Sequence, residues 1–182
     1  MEEKVEQRTK ELNIKNEELF KLSITDKLTG LYNRVKLDSV LQENMSLSLR
    51  YGNIFSIIII DIDFFKKIND NFGHQVGDDV LKECSYILSQ NIRNVDILGR
   101  WGGEEFLVVC PETLKDGAKD LAIKLNKAIK LHKFSTYPHS VTISVGVASC
   151  SVNDLNYDDI ISNADKALYE AKNNGRDRVE IF

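Results

Sequence analysis

Two pairs of acidic residues stand where chemistry is possible. Asp61-Ile62-Asp63 follows directly on the apolar run Ile54-Phe55-Ser56-Ile57-Ile58-Ile59-Ile60. Side chains alternate along an extended chain, so both carboxylates leave the same side, just past the apolar stretch, where open α/β sheets bind ligands. Two anions held together there are costly unless a cation lies between them, and hard cations such as Mg²⁺ take carboxylate oxygens together with substrate phosphates. Asp61 is therefore a candidate metal ligand. Asp63 has a second reading, since it precedes a predicted helix and an Asp at that place caps the first turn. The other pair, Glu104-Glu105, follows Gly102-Gly103. If the hairpin implied by this dipeptide lies beside the apolar run, Glu104 faces Asp61 and completes a two-carboxylate cation site; otherwise it is an exposed hairpin. The glycines supply the positive φ angles of a tight turn and, lacking side chains, leave room for a substrate against the backbone.

The elements that must carry these residues can be read from periodicity. The isoleucine-rich run, β-branched and unbroken, predicts a central strand covered on both faces. Asp26 with Leu28-Thr29-Gly30-Leu31 predicts a capped turn leading into a helix over Arg34 to Leu49. Phe64 to Asn71 predicts a short helix ended by Gly73, and Val76, Val80, Leu81, Cys84, Ile87 and Leu88 recur at helical spacing. Asp96 to Arg100 and Glu104 to Cys110 read as an antiparallel hairpin. A helix through Leu114, Ala118, Leu121, Leu125 and Ala128 follows, then Val141, Ile143, Val145 and Val147 alternate with smaller residues as a half-buried strand. A capped helix from Tyr157 to Asn173 and a last strand through Val179 and Ile181 close the chain. Hairpins and helical crossovers together predict an α+β fold, an α/β sandwich: a central mixed, mainly antiparallel sheet of about five strands flanked by helices.

Residues 1–24 differ from the rest. They are rich in Glu, Lys, Gln and Asn, with Val5, Leu12 and Leu19 seven apart at heptad d and the polar Thr9, Asn16 and Ser23 at a. This predicts an N-terminal helical stalk pairing in a parallel dimer, with Asn16 setting register, or else a solvated helix packed on its own domain. The weak seam suggests the end of a longer rod below an upstream sensory region. Residues 25–182 make one globular domain. With 24 basic against 28 acidic residues, a net charge of −4, the chain lacks the basic face that captures nucleic acid. Cys84, Cys110 and Cys150 form no CxxC pair, which indicates a reducing, cytoplasmic setting for the domain, whether or not the parent protein is membrane-anchored. His74, His132 and His139 show no metal spacing. The longest apolar run is far short of the roughly 20 residues that span a bilayer, so no membrane insertion by this chain is expected. Tyr32, Trp101 and Tyr169 read as packing or wall residues, since no basic groove accompanies them.

Five strings in order carry a resemblance: Asp26-Lys27-Leu28-Thr29-Gly30-Leu31-Tyr32-Asn33-Arg34; Asp61 to Asp70; Phe72-Gly73-His74-Gln75-Val76-Gly77-Asp78; Arg100-Trp101-Gly102-Gly103-Glu104-Glu105-Phe106 with Ser144-Val145-Gly146-Val147; and Ala164 to Arg176. Together they resemble the GGDEF-domain diguanylate cyclases, in a GGEEF form, over nearly everything from Asp26 to Phe182. The resemblance implies a palm-like nucleotidyl cyclase fold and a reaction in which two GTP become cyclic di-GMP and two pyrophosphates. Each subunit of a homodimer would bind one GTP.

Carried over by position, the resemblance implies that Asp61, the Ile62 carbonyl and Glu104 bind Mg²⁺ or Mn²⁺, with about two ions per half-site. Glu105 would serve as a further metal ligand or an acid/base group. Asn69 and Asp78 match the guanine-reading pair; a carboxylate can accept from guanine's ring N–H and amino group, a donor pair adenine lacks. Lys66, Lys172 and Arg176 match triphosphate-holding positions, and the backbone N–H groups of Phe64 and Phe65 can hold phosphate at a helix start. Arg93-Asn94-Val95-Asp96 matches the inhibitory RxxD site, where cyclic di-GMP binds back; an internal ion pair is the plainer reading. A catalytically silent domain that binds GTP or cyclic di-GMP, and a nucleotidyl cyclase of other base preference, are the rival functions.

Overall fold

The computed structural model describes residues 2–151 and 154–182, and of residues 2–5, 17 and 18 the backbone alone. In chain order the elements are α1 (Glu2–Ile24), α2 (Arg34–Tyr51), β1 (Phe55–Ile62), α3 (Phe65–Phe72), α4 (His74–Asn91), β2 (Ile97–Gly102), β3 (Glu105–Pro111), α5 (Lys115–Leu131), β4 (Ile143–Ser149), α6 (Tyr157–Asn173) and β5 (Arg178–Ile181). The strands form one sheet in the order β2-β3-β1-β4-β5. Its first three pairings are antiparallel and only β4–β5 is parallel, because α6 carries the chain back over the sheet between those two strands.

β1 is central and buried along its whole length, as its unbroken apolar run requires. Ile58, Ile60 and Ile62 pack under α3, α4 and α5. Phe55, Ile57 and Ile59 pack on the opposite face under α2 and α6. Two helical layers thus fix the strand end where Asp61 emerges.

β4 departs from the half-buried strand that its alternation predicts: Ile143 through Ala148 are all buried. Of the positions that look solvent-facing, Gly146 lies under α6, and Ser144 is turned to Asp63. Gly146 must be small, since a Cβ there would stand 2.2 Å from the Ala164 carbonyl and 2.4 Å from the Leu168 nitrogen. This close crossing, together with a reciprocal capping box between Asn156 and Asp159, fixes the helix that carries Lys172 toward the sheet end.

α1 packs lightly against α2. Leu12 and Leu19 are exposed, as are Ile14, Phe20 and Leu22. The Val5 side chain of the predicted heptad lies outside the described residues. No helix among the described residues is long and apolar enough to cross a membrane. Trp101 is buried in the core beneath α2, whereas Tyr169, read as a packing or wall residue, is exposed and lines a surface cavity with Asp165, Lys166 and Phe182.

Candidate active site

The site forms where the end of β1 meets the β2–β3 turn. The register sets Asp61 opposite Glu105 on β3 and opposite Ser144 on β4. Glu105, rather than the expected Glu104, is thus the direct cross-strand neighbour of Asp61; Glu104 stands in the turn, and its carbonyl accepts from the Ile62 N–H at 3.4 Å. The irregularity between Arg100 and Gly102 shifts the pairing. Of the two turn glycines only Gly103 takes a positive φ, 38°, and a Cβ on either would meet nothing within 4 Å, so the turn is open to a ligand.

Electrostatically the strand end is loaded with acid. Burial pushes the Asp61 carboxyl above its ordinary range, with Glu104 and Asp63 adding repulsion and Lys172 pulling the other way. Lys172 reaches over from α6 and stands 2.8 Å from Asp61 Oδ2. Glu105 is likewise raised, by burial first and then by Asp61, with Lys172 again opposing. Among the described residues no three His, Cys, Asp or Glu converge as a ready metal cage. The donor chemistry still fits Mg²⁺, which is commonly held by one or two carboxylates together with substrate phosphates.

Asp63 is neither a ligand candidate nor a cap. Its carboxylate accepts from Thr142 Oγ1 at 2.7 Å, Ser144 Oγ at 2.6 Å and the Asp177 N–H at 3.1 Å. The helix start that it was expected to cap belongs to Phe64, which is left-handed and makes no side-chain cap bond. Asp63 therefore ties β1 to β4 and to the α6–β5 turn. That turn is unusual, with Arg176 and Asp177 both at positive φ. The Arg176 guanidinium lies 4.6 Å from the centre of the Phe64 ring, and Lys67 Nζ lies 4.5 Å from it. Phe64 was expected to act only through its backbone; its exposed ring also carries two cations near the strand end.

On the other side of the turn, Lys66, Asn69, Asp78, Gly103 and Glu104 share a cleft of about 450 Å³ with Phe65, Asp70, His74, Leu81 and Arg100. Arg100 is a site residue that sequence reasoning passed over. Its Nε and Nη2 donate to the Gly103 carbonyl at 2.9 and 2.7 Å, and Nη1 reaches both Asp26 oxygens at 3.3 Å. Asp26 also receives the Thr29 N–H and hydroxyl, the capped turn that was expected. The signature turn is thereby anchored to the loop that follows α1. That Arg100 directly precedes the Trp101-Gly102-Gly103 stretch was its only signal.

The diguanylate cyclase GGDEF-domain family model matches residues 23–178. The chain belongs to the GGDEF diguanylate cyclase family. Response regulator PleD of Caulobacter vibrioides is 39% identical over 163 residues, covering 87% of this chain and 36% of that protein. Diguanylate cyclase A of Treponema denticola is 38% identical over 173 residues, covering 92% of this chain and 47% of that protein. The solved coiled coil and GGDEF domain of DgcB from Caulobacter crescentus, in complex with c-di-GMP, superposes with a TM-score of 0.91 at 26% identity, covering 98% of this chain and 95% of that one. The chain thus spans between a third and a half of those two curated relatives, and its mixed sheet with flanking helices is the palm-like fold of GGDEF domains.

The RxxD stretch of this GGDEF domain lies elsewhere, at the start of β2, a strand length from the turn, which is about 20 Å. Asp96 is buried and accepts from the backbone N–H of Arg93 at 2.9 Å, a turn bond in place of the internal ion pair that was the alternative to a product site. Its other carboxylate oxygen has no partner among the described residues, and the Arg93 side chain is exposed.

Proposed function

We propose that this domain condenses two GTP molecules into cyclic di-GMP. The observation that carries the reading is the shared cleft: a base-reading pair (Asn69, Asp78), a phosphate cation (Lys66) and the carboxylate turn (Glu104) line one cavity beside Asp61 and Glu105. Asp78 accepts from guanine's N1–H and amino group, and the Asn69 amide completes the edge. Lys66, Lys172 and Arg176 balance the triphosphate charge, with the backbone N–H groups of Phe64 and Phe65 beside them.

Asp61, the Ile62 carbonyl, Glu104 and Glu105 would hold the divalent cation, Mg²⁺ or Mn²⁺, with about two per half-site. When bound it neutralises the charge that develops on the phosphates. Glu105, half-buried and raised, can take a proton at its carboxylate as the ribose 3′ oxygen of one GTP attacks the α-phosphorus of the other. A P–O bond forms, the bond to the β-phosphate bridging oxygen breaks, and pyrophosphate leaves with the electron pair. Repetition in the opposite sense closes the ring.

One domain binds one GTP, so the reaction needs two copies face to face in a homodimer. Residues 1–24 form the stalk that aligns them, below an upstream sensory domain, and residues 25–182 the catalytic domain, which works in the cytoplasm. The exposed Leu12 and Leu19 support the pairing of α1 with a second copy. Cyclic di-GMP returning to Arg93 and Asp96 supplies feedback. Incubation with GTP and Mg²⁺ should yield cyclic di-GMP, and Asp61→Ala or Glu104→Ala should lower the rate by at least 100-fold. Full activity in either variant would refute the metal assignment, and GTP binding without turnover in an enforced dimer would point to a silent binding domain.

A further inference from the structure

Gly77 sits inside α4, buried, with no positive φ to require glycine. Alanine would serve a helix interior better by about 1 kcal/mol. What excludes a side chain is one neighbour. A Cβ built on Gly77 stands 1.9 Å from Asn69 Oδ1 and 3.0 Å from Asn69 Cγ, with Phe65 Cζ next at 3.3 Å. The Asn69 amide therefore lies directly on the bare backbone of α4, beside the residue that leads into Asp78. α3 and α4 are joined through Gly73 alone, so the pair has little freedom to separate.

We propose that Gly77 is a positioning residue for guanine recognition: by lacking a side chain, it sets the depth and angle at which the Asn69 amide joins Asp78 on one base edge. This rests on the guanine-reading role given to the cleft. An added methyl meets chiefly the end of a flexible side chain, so the helix stands and the amide moves.

The test measures binding of the α,β-methylene analogues of GTP and ATP, with Mg²⁺, to the wild type, Gly77→Ala, Asn69→Ala and the double variant. Gly77→Ala should weaken the GTP analogue about tenfold, leave the ATP analogue unchanged, and melt no lower than the wild type. In the Asn69→Ala background the same change should cost no further affinity, since the contact is already gone. An unaltered GTP-analogue affinity in Gly77→Ala, or a full additional loss in the double variant, overturns the inference. Should Gly77→Ala melt well below the wild type, the double variant must recover the melting temperature; failure to do so also overturns it. If Asn69→Ala binds the GTP analogue as tightly as the wild type, the guanine reading itself falls, and this inference with it.

Discussion

At the residue scale, the carboxylates of the strand end divide their labour. Asp61 is buried against Lys172 and faces Glu105, while Asp63 is spent on three donors that lock the α6–β5 turn. Asp63→Ala would leave the Thr142 and Ser144 hydroxyls and the Asp177 N–H without their acceptor. We expect a loss of about 3 kcal/mol, read as a lower urea midpoint, because hydrogen bonds to a buried charge are among the stronger ones. GTP affinity should fall as well, since Arg176 precedes the anchored residue. Arg93 makes the opposite case. Its side chain is exposed, so Arg93→Ala should leave stability within about 0.5 kcal/mol while relieving inhibition by added cyclic di-GMP; inhibition as in the wild type would remove Arg93 from the feedback site. Asp61 was legible as a ligand candidate because two acids ending an apolar run repel each other unless a cation joins them. The role of Asp63 was hidden, because its donors at Thr142, Ser144 and Asp177 are distant in sequence and only the helix beside it is near.

At the element scale, hydrophobic pattern was a good guide wherever one element decides its own fate. The isoleucine run of β1 announced a strand covered on both faces, and α6 spans Tyr157–Asn173 as its spacing indicated. It failed where a neighbour decides. Ser144 and Gly146 imitate a solvent face, yet both are buried: α6 lies on Gly146, and the Ser144 hydroxyl donates to Asp63. Which glutamate meets Asp61 depends on the β3 register and on the irregularity before Gly102, neither of which leaves a mark in residue spacing. Arg100 joins two elements in the same hidden way. Burial works to raise the Asp26 carboxyl, but the Thr29 donors and Arg100 hold it below its ordinary value. A depressed carboxyl contributes stability that is complete above the unfolded pKa, about 4, and is lost as pH falls through the folded value. Asp26→Asn should therefore cost about 1–2 kcal/mol at pH 7, and thermal melts should converge with the wild type in acid. A gap that persists below pH 3 would show that packing, not charge, holds this loop.

At the scale of the whole molecule, the two supports of the site differ. Lys172 comes from a helix pressed onto β4, whereas Glu104 and Gly103 come from an open turn held by Arg100. One side of the site is built on the core and the other on a tether. A half-site enzyme should show specific activity that climbs with protein concentration, and a chain lacking residues 1–22 should need more protein to reach the same value. A constant specific activity across that range would mean that one copy suffices or that the dimer never dissociates, and sedimentation would separate the two. The place of β1 in the sheet has another effect. The strand lies between partners that are made much later in the chain, β3 on one side and β4 on the other, so Asp61 gains its surroundings only after these long loops have closed. On the proposed reading only the folded domain holds GTP, so the nucleotide at a hundred times its dissociation constant should add about 2.7 kcal/mol to the free energy of unfolding, read as a higher urea midpoint.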